Sequence, residues 1–341
     1  MIDLEQLSPD APAIILLCSS IGTNRDAGTR PLGPRTWAKL SDRLARQSFR
    51  GPRDLPGLTA DEIDRSLDVG PDEAARYVRL LARGGQLAFE LDRLRSRGIW
   101  VVTIVDEAYP QHLADRLGPD APPVLFGSGD SSLLGRRGVA IVGSRDADST
   151  AVSFTERLAT TLARGGVSVI SGGAKGIDAT AMRSAADAGG PVVGVLAEGV
   201  ERRLRDGSTR AVVASGQAVL VSPYHPGAAF SAGAAMGRNK IVYALSDVAV
   251  VVSSATGSGG TWTGAIEAIK GGWVPVLVRD APDAPDGNRA LIARGGVPLP
   301  AEVVGGDAVT IESLLSLVPA EARRVAEDAA PYEQQSLFDE P

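Results

Sequence analysis

A chain of 341 residues, 44% hydrophobic but only 4% aromatic, has room for a large aliphatic core and for more than one domain. One cysteine, Cys18, and two histidines, His112 and His225, exclude a disulfide framework and a His/Cys metal centre, so neither metal nor cofactor is expected. The net charge of −6 argues against a polyanion partner only when taken whole, because residues 1–135 carry −3, residues 136–279 carry +5 and residues 280–341 carry −8.

The start, MIDLEQLSPD, is acidic and does not read as a secretory leader. No apolar stretch approaches the roughly 20 residues that span a bilayer. A cytoplasmic protein with no membrane partner is therefore expected. Residues 1–100 read as a helical module, with helical patterns over Thr36–Gln47, Pro71–Arg83 and Gln86–Arg97. Thr59, with Glu62 three positions on, predicts a capping box at the start of a further helix. Ile99–Val105 is a short β-rich run, and the proline-punctuated stretch after it predicts a connector over 101–136.

From Gly138 the rhythm changes. Apolar runs at 139–142, 167–170, 192–196, 218–221, 248–252 and 274–278 alternate with helical stretches. Near-continuous apolar strands separated by helices predict an α/β, Rossmann-like doubly wound parallel sheet over 137–280, with helices on both faces. Residues 281–325 read as a C-terminal extension with a short helical pattern near Glu312–Leu317, and 326–341 as an acidic, disordered tail.

Ligands of such sheets bind beyond the carboxyl ends of the strands. Four segments there have a composition suited to phosphate. Gly143-Ser144-Arg145 combines close backbone approach, a hydroxyl and a bidentate cation. Ser171-Gly172-Gly173-Ala174-Lys175-Gly176 precedes a helix opening near Ile177 and predicts an anion nest, with Asp178 as that helix's cap. Gly237-Arg238-Asn239-Lys240 reads as a third loop carrying two cations, and Thr256 to Gly264, with Ser258, Gly259, Gly260 and Thr261 as its binding positions, as a fourth, ahead of another helix. The order G-x-G-x-x-G and the string GK[ST] are both missing, which disfavours NAD and ATP chemistry. No catalytic residue is assigned. His112 reads as a surface or capping histidine and His225 as a loop residue.

At these residues the chain resembles the DNA-processing protein A (DprA, or Smf) family. The landmarks, in order, are YPQHL (109–113), APPVLFGSGD (121–130), VAIVGSRDAD (139–148), VISGGAKGIDATAM (169–182), GGPVVGVLAEGVE (189–201), LVSPYHPG (220–227), GRNKIVYALSD (237–247) and GSGGTWTGAIEA (257–268). The resemblance implies a binding protein for single-stranded DNA that helps load the RecA recombinase, dimerises, and has a sterile-alpha-motif-like or helix-hairpin-helix-like module at its N-terminus. Carried over, the backbone-binding positions are Ser144, Arg145, Gly173, Lys175, Arg238 and Lys240.

The chain departs from the family pattern in places. Met182 stands where a histidine is usual, RNKI replaces RNRI, and the basic run ERRLR (201–205) replaces a Tyr-Pro. A basic winged helix is not evident at the C-terminus. These departures leave transformation open against a role in repair or phage defence. The alternative function is that of the lonely-guy (LOG) nucleotide hydrolases, which share the fold and read PGGxGTxxE, or of a mononucleotide sensor. Here Gly264 occupies the glutamate position, and Glu267 lies one helical turn further on. Trp262 and Trp273 are candidates for stacking on bases or for packing. Gln334, Leu337 and Phe338 in QQSLF resemble the pentapeptide by which bacterial proteins bind the sliding clamp.

Overall fold

The computed structural model describes residues 7–22, 29–305 and 309–320. Five helices come first: α1 (Ala11–Cys18), α2 (Pro34–Ala45), α3 (Ala60–Leu67), α4 (Pro71–Leu81) and α5 (Gly84–Ser96). Local sequence accounts for several of their starts. Proline occupies the first turn of α1, α2 and α4, where its missing N–H costs nothing. The Thr59 side chain accepts from the Glu62 N–H while Glu62 reaches back to the Thr59 N–H, the reciprocal box expected at α3.

Then follow β1 (Trp100–Thr103), α6 (Gln111–Leu117), β2 (Val124–Gly129), β3 (Gly138–Gly143), α7 (Ser149–Arg164), β4 (Ser168–Ser171), α8 (Ile177–Asp187), β5 (Val192–Val195), α9 (Val200–Arg203), α10 (Gly207–Ala214) and β6 (Ala218–Ser222). The chain continues through α11 (Ala232–Ala244), β7 (Val248–Ser253), α12 (Gly259–Gly271), β8 (Val276–Asp280), α13 (Asp286–Ile292), β9 (Val297–Pro300) and α14 (Ile311–Ser316). All nine strands join one sheet in the order β1-β2-β6-β5-β4-β3-β7-β8-β9. Strands β3 to β9 run parallel, and β1 and β2 close one edge antiparallel. The six apolar runs of the sequence are β3 to β8. The 101–136 stretch, expected as a connector, instead supplies β2 and most of β1. Its strands bury their side chains against the rest of the sheet, so the prolines between them mark turns and not a linker. Strand β9, beyond the expected domain end, extends the sheet at the other edge.

Alternation along the strands sorts the core into layers. Val102, Leu125, Val219 and Val221 face one side with α6, α11 and α12, whereas Val101, Phe126 and Leu220 face the N-terminal helices. Helices α7 and α8 cover the neighbouring stretch of that second face with Phe154, Leu158, Leu162 and Ile177. The N-terminal module thus shares a continuous core with the sheet. Asn288, fully buried, ties the ends of β7 and β8 together: its Nδ2 donates to the carbonyls of Val252 and Arg279, and its Oδ1 accepts from the Ser254 N–H at 2.9 Å.

From β3 the chain winds outward through β4, β5 and β6, then returns to place β7 on the opposite side of β3. That reversal is the switch point where open α/β sheets leave a crevice.

Candidate phosphate-binding cleft

A cleft of about 470 Å³ opens at the carboxyl ends of β3 and β7, walled by α11 and by the first turn of α12. The switch point dictates its place. At the end of β3 the pairing with β7 shifts register, and the Ser144 N–H closes on the Ser253 carbonyl at 2.9 Å. Gly143, Ser144 and Arg145 therefore turn out of the sheet into the cleft lining. The Arg145 guanidinium stands 5.8 Å from the ring centre of Phe230, which is 51% exposed, and the half-exposed Met236 of α11 lines the cleft.

The second segment behaves differently from its expected role. Gly176, with φ +79°, is where the chain passes over the β3 loop, and a side chain there would collide with the Ser144 and Arg145 carbonyls. The Ser171 hydroxyl is fully buried and donates to the Ile141 carbonyl, away from any ligand. The Gly173 carbonyl accepts from Arg203 at 3.1 Å, and Lys175 is exposed outside the cleft lining. Helix α8 is capped by Gly176, not Asp178. The Asp178 side chain instead lies buried in the cleft lining, where the nearby backbone N–H groups of Gly143, Gly172 and Ala174 favour its charged form. The nest expected to receive a ligand thus has the chain's own carboxylate beside it. Burial pushes the Asp178 pKa up to about 6, against the pull of Arg238 and of those three N–H donors.

The GRNK segment is not a loop. It forms the middle of α11, whose start is set by the Ser231 side chain accepting from the Ala234 N–H. The alanine-rich run before it favours helix, which outweighs the two glycines. Helical spacing then separates the two cations. Arg238 and Asn239, with Ala235 and Val242 on the same face, line the cleft. Lys240 falls outside it, 3.6 Å from Asp120, which also holds Arg35 through two hydrogen bonds.

Arg238 is 4% exposed, and among the described residues it forms no ion pair; its buried Nε has no hydrogen-bond partner. Burial draws its pKa down, opposed at range by Asp178 and Glu198, while Arg145 adds like-charge repulsion. Tyr243 at the same cleft is 1% exposed, and its buried hydroxyl has no partner among the described residues. Opposite Arg238, Ser258 is the N-cap of α12 but makes no side-chain cap, so first-turn N–H groups around Gly259, Gly260 and Thr261 face the cleft without a protein partner supplied by the cap. Asn239 Nδ2 donates to the Gly260 carbonyl at 3.0 Å and fixes this turn against α11. Two guanidinium groups and the positive end of a 13-residue helix converge on one space.

Other candidates fall outside. Glu267 is not in the cleft lining, His225 accepts the Gly227 N–H through Nδ1, and burial lowers the His112 pKa. Trp262 and Trp273 pack partly buried against the core, with Arg294 over the Trp262 ring. Among the described residues there is no cluster of three metal-ligating side chains, and no helix is long and apolar enough to cross a membrane. Gln334, Leu337 and Phe338 lie outside the described residues. Sequence reasoning missed Tyr243 and Met236 in the cleft lining, the place of Asp178 there, and the exposed Phe230 beside Arg145.

A family model for DNA recombination-mediator protein A matches residues 100–299. This chain belongs to that family. A DNA processing protein DprA of Mycobacterium tuberculosis is 34% identical over 222 residues, which are 58% of this chain and 57% of the relative. The match thus spans a little over half the length of that relative. Among solved structures, DNA processing protein A of Streptococcus pneumoniae aligns with a TM-score of 0.56 at 22% identity, over 84% of this chain and 99% of that one. The protein of Helicobacter pylori aligns with a TM-score of 0.52 at 24% identity, over 65% and 97%. At such identities the structures speak for the shared fold. The matched span, 100–299, begins at β1 and so includes the two strands that had looked like a connector.

Proposed function

We propose that the cleft binds the phosphate backbone of single-stranded DNA, without catalysis and with little sequence preference, as part of DNA processing in recombination. The observation that carries this reading is Arg238: a buried cation with no ion pair, aimed into an open cleft beside an uncapped helix N-terminus. An unpaired buried charge is costly, and an anion in the cleft offsets that cost. Arg145 at the mouth supplies a second phosphate contact, and Ser144, Ser258 and Thr261 supply hydroxyls. Family membership supports a nucleic-acid ligand over a small anion. The H. pylori relative is a single-stranded DNA-binding protein. Hydrolysis of a nucleotide is not favoured, because Gly264 stands at the LOG glutamate position and Glu267 lies outside the cleft.

The assembly follows the same reading. The protein acts in the cytoplasm as a homodimer, hands DNA to a RecA-type recombinase, and contacts the sliding clamp through Gln334, Leu337 and Phe338. Titration of labelled single-stranded and duplex oligonucleotides at two salt concentrations tests the core of it. Tighter binding of the single strand, weakening steeply with salt, is expected. Equal affinity for duplex, or no salt dependence, overturns it.

A further inference from the structure

Asp178 is an odd residue to find in an anion site. Its side chain lines the cleft while the residue is 6% exposed. It sits on the first turn of α8, buried beside the ends of β3 and β4, where the nearby Gly143, Gly172 and Ala174 N–H groups favour its charged form. It is not cancelled by a direct partner, since Arg238 acts on it through space and no ion pair joins them. With its pKa near 6 it carries its full charge at pH 7.5.

The charges facing the cleft can be counted by element. The β3 loop brings Arg145 and, at the rim, Asp146; α8 brings Asp178; α11 brings Arg238, with Glu198 acting on it from the loop after β5. The N-terminus of α12 adds about half a positive charge. Tyr243 stays neutral, because burial raises its pKa. Two guanidinium groups and a helix end supply about 2.5 positive charges, and Asp178 reduces that surplus to about 1.5, short of two negative charges even before Asp146 at the rim is counted; Glu198 is itself paired with Arg203 at 3.8 Å.

We propose that Asp178 is a specificity-determining residue that makes the cleft select singly charged internal phosphodiesters and reject doubly charged terminal phosphates and mononucleotides. The inference rests on the phosphate-binding reading above and names the phosphate class that the cleft accepts. A phosphomonoester carries about −1.5 to −2 near neutral pH, whereas a diester carries one charge. The extra charge meets Asp178 inside a partly desolvated site, where like-charge repulsion is strong.

Calorimetric titration of the full chain at pH 7.5 tests this with three ligands: an oligothymidylate, thymidine 5′-monophosphate and the methyl ester of that monophosphate, which has one charge fewer. The methyl ester is expected to bind about tenfold more tightly than the monophosphate, and Asp178→Asn to bring the two within about twofold. The wild-type comparison stands by itself if the variant misfolds. Equal binding of the two compounds, tighter binding of the monophosphate, or binding of neither overturns the proposal. If the oligonucleotide still binds in those cases, only the selectivity fails. If the oligonucleotide does not bind, the single-strand reading fails as well.

Discussion

Gly172 and Arg238 share one space: a Cβ built on Gly172 would stand 1.6 Å from Arg238 Nη1. The glycine at the end of β4 is therefore the seat on which the guanidinium rests. Gly172→Ala is expected to displace Arg238, costing about 1–3 kcal/mol of stability from overpacking. Single-strand affinity should fall by about tenfold with it. Thermal unfolding and oligonucleotide binding, measured on the same preparation, check the two effects together.

Arg238 and Lys240 sit two residues apart on α11 yet should behave oppositely. Arg238→Ala removes a charge-assisted contact and is expected to weaken single-strand binding about tenfold or more, while reducing the salt slope by about one. Lys240→Ala should leave affinity within about twofold, because Lys240 is engaged with Asp120 outside the cleft. Equal losses from the two substitutions would contradict the helical placement of this segment.

Asp178 makes stability depend on pH in a stated direction. Its pKa is about 6 in the fold against 3.8 for the free side chain, so the folded state holds the proton more tightly. Its contribution is greatest below pH 3.8 and is lost as pH rises through 6, by about 3 kcal/mol in all. The stability of the wild type relative to Asp178→Asn should accordingly fall between pH 4 and pH 7, as read by urea unfolding. A difference that grows over that range would contradict the assigned burial.

Deletion of residues 334–338 should abolish retention of the protein by immobilised sliding clamp while leaving DNA binding unchanged. Retention at the wild-type level would remove the tail from the account.

The sheet was legible because buried parallel strands are continuous apolar runs that need no long-range information to recognise. β1 and β2 were harder, since β2, set among prolines, joins the sheet only through β6, a partner distant in sequence, and β1 is the edge strand added onto it. The glycine-rich loops marked where the cleft lies but not which groups in it are free. Composition showed GGAKG as a nest; only the fold shows that Asp178 is buried in the cleft lining beside it. Likewise Arg238 and Lys240 look equivalent in a string of letters and part only when 3.6 residues per turn sends them to different faces. Phe230 meets Arg145 across 85 positions of chain, with no local signal at all.

The central claim is that this cleft binds DNA through charged phosphates. Its most direct test compares an oligothymidylate with the same oligomer carrying uncharged methylphosphonate linkages, at low salt, for the wild type and Arg238→Ala. The wild type should lose most of its affinity for the uncharged strand, and Arg238→Ala should show a much smaller difference between the two. Equal wild-type affinity for charged and uncharged strands would contradict the claim.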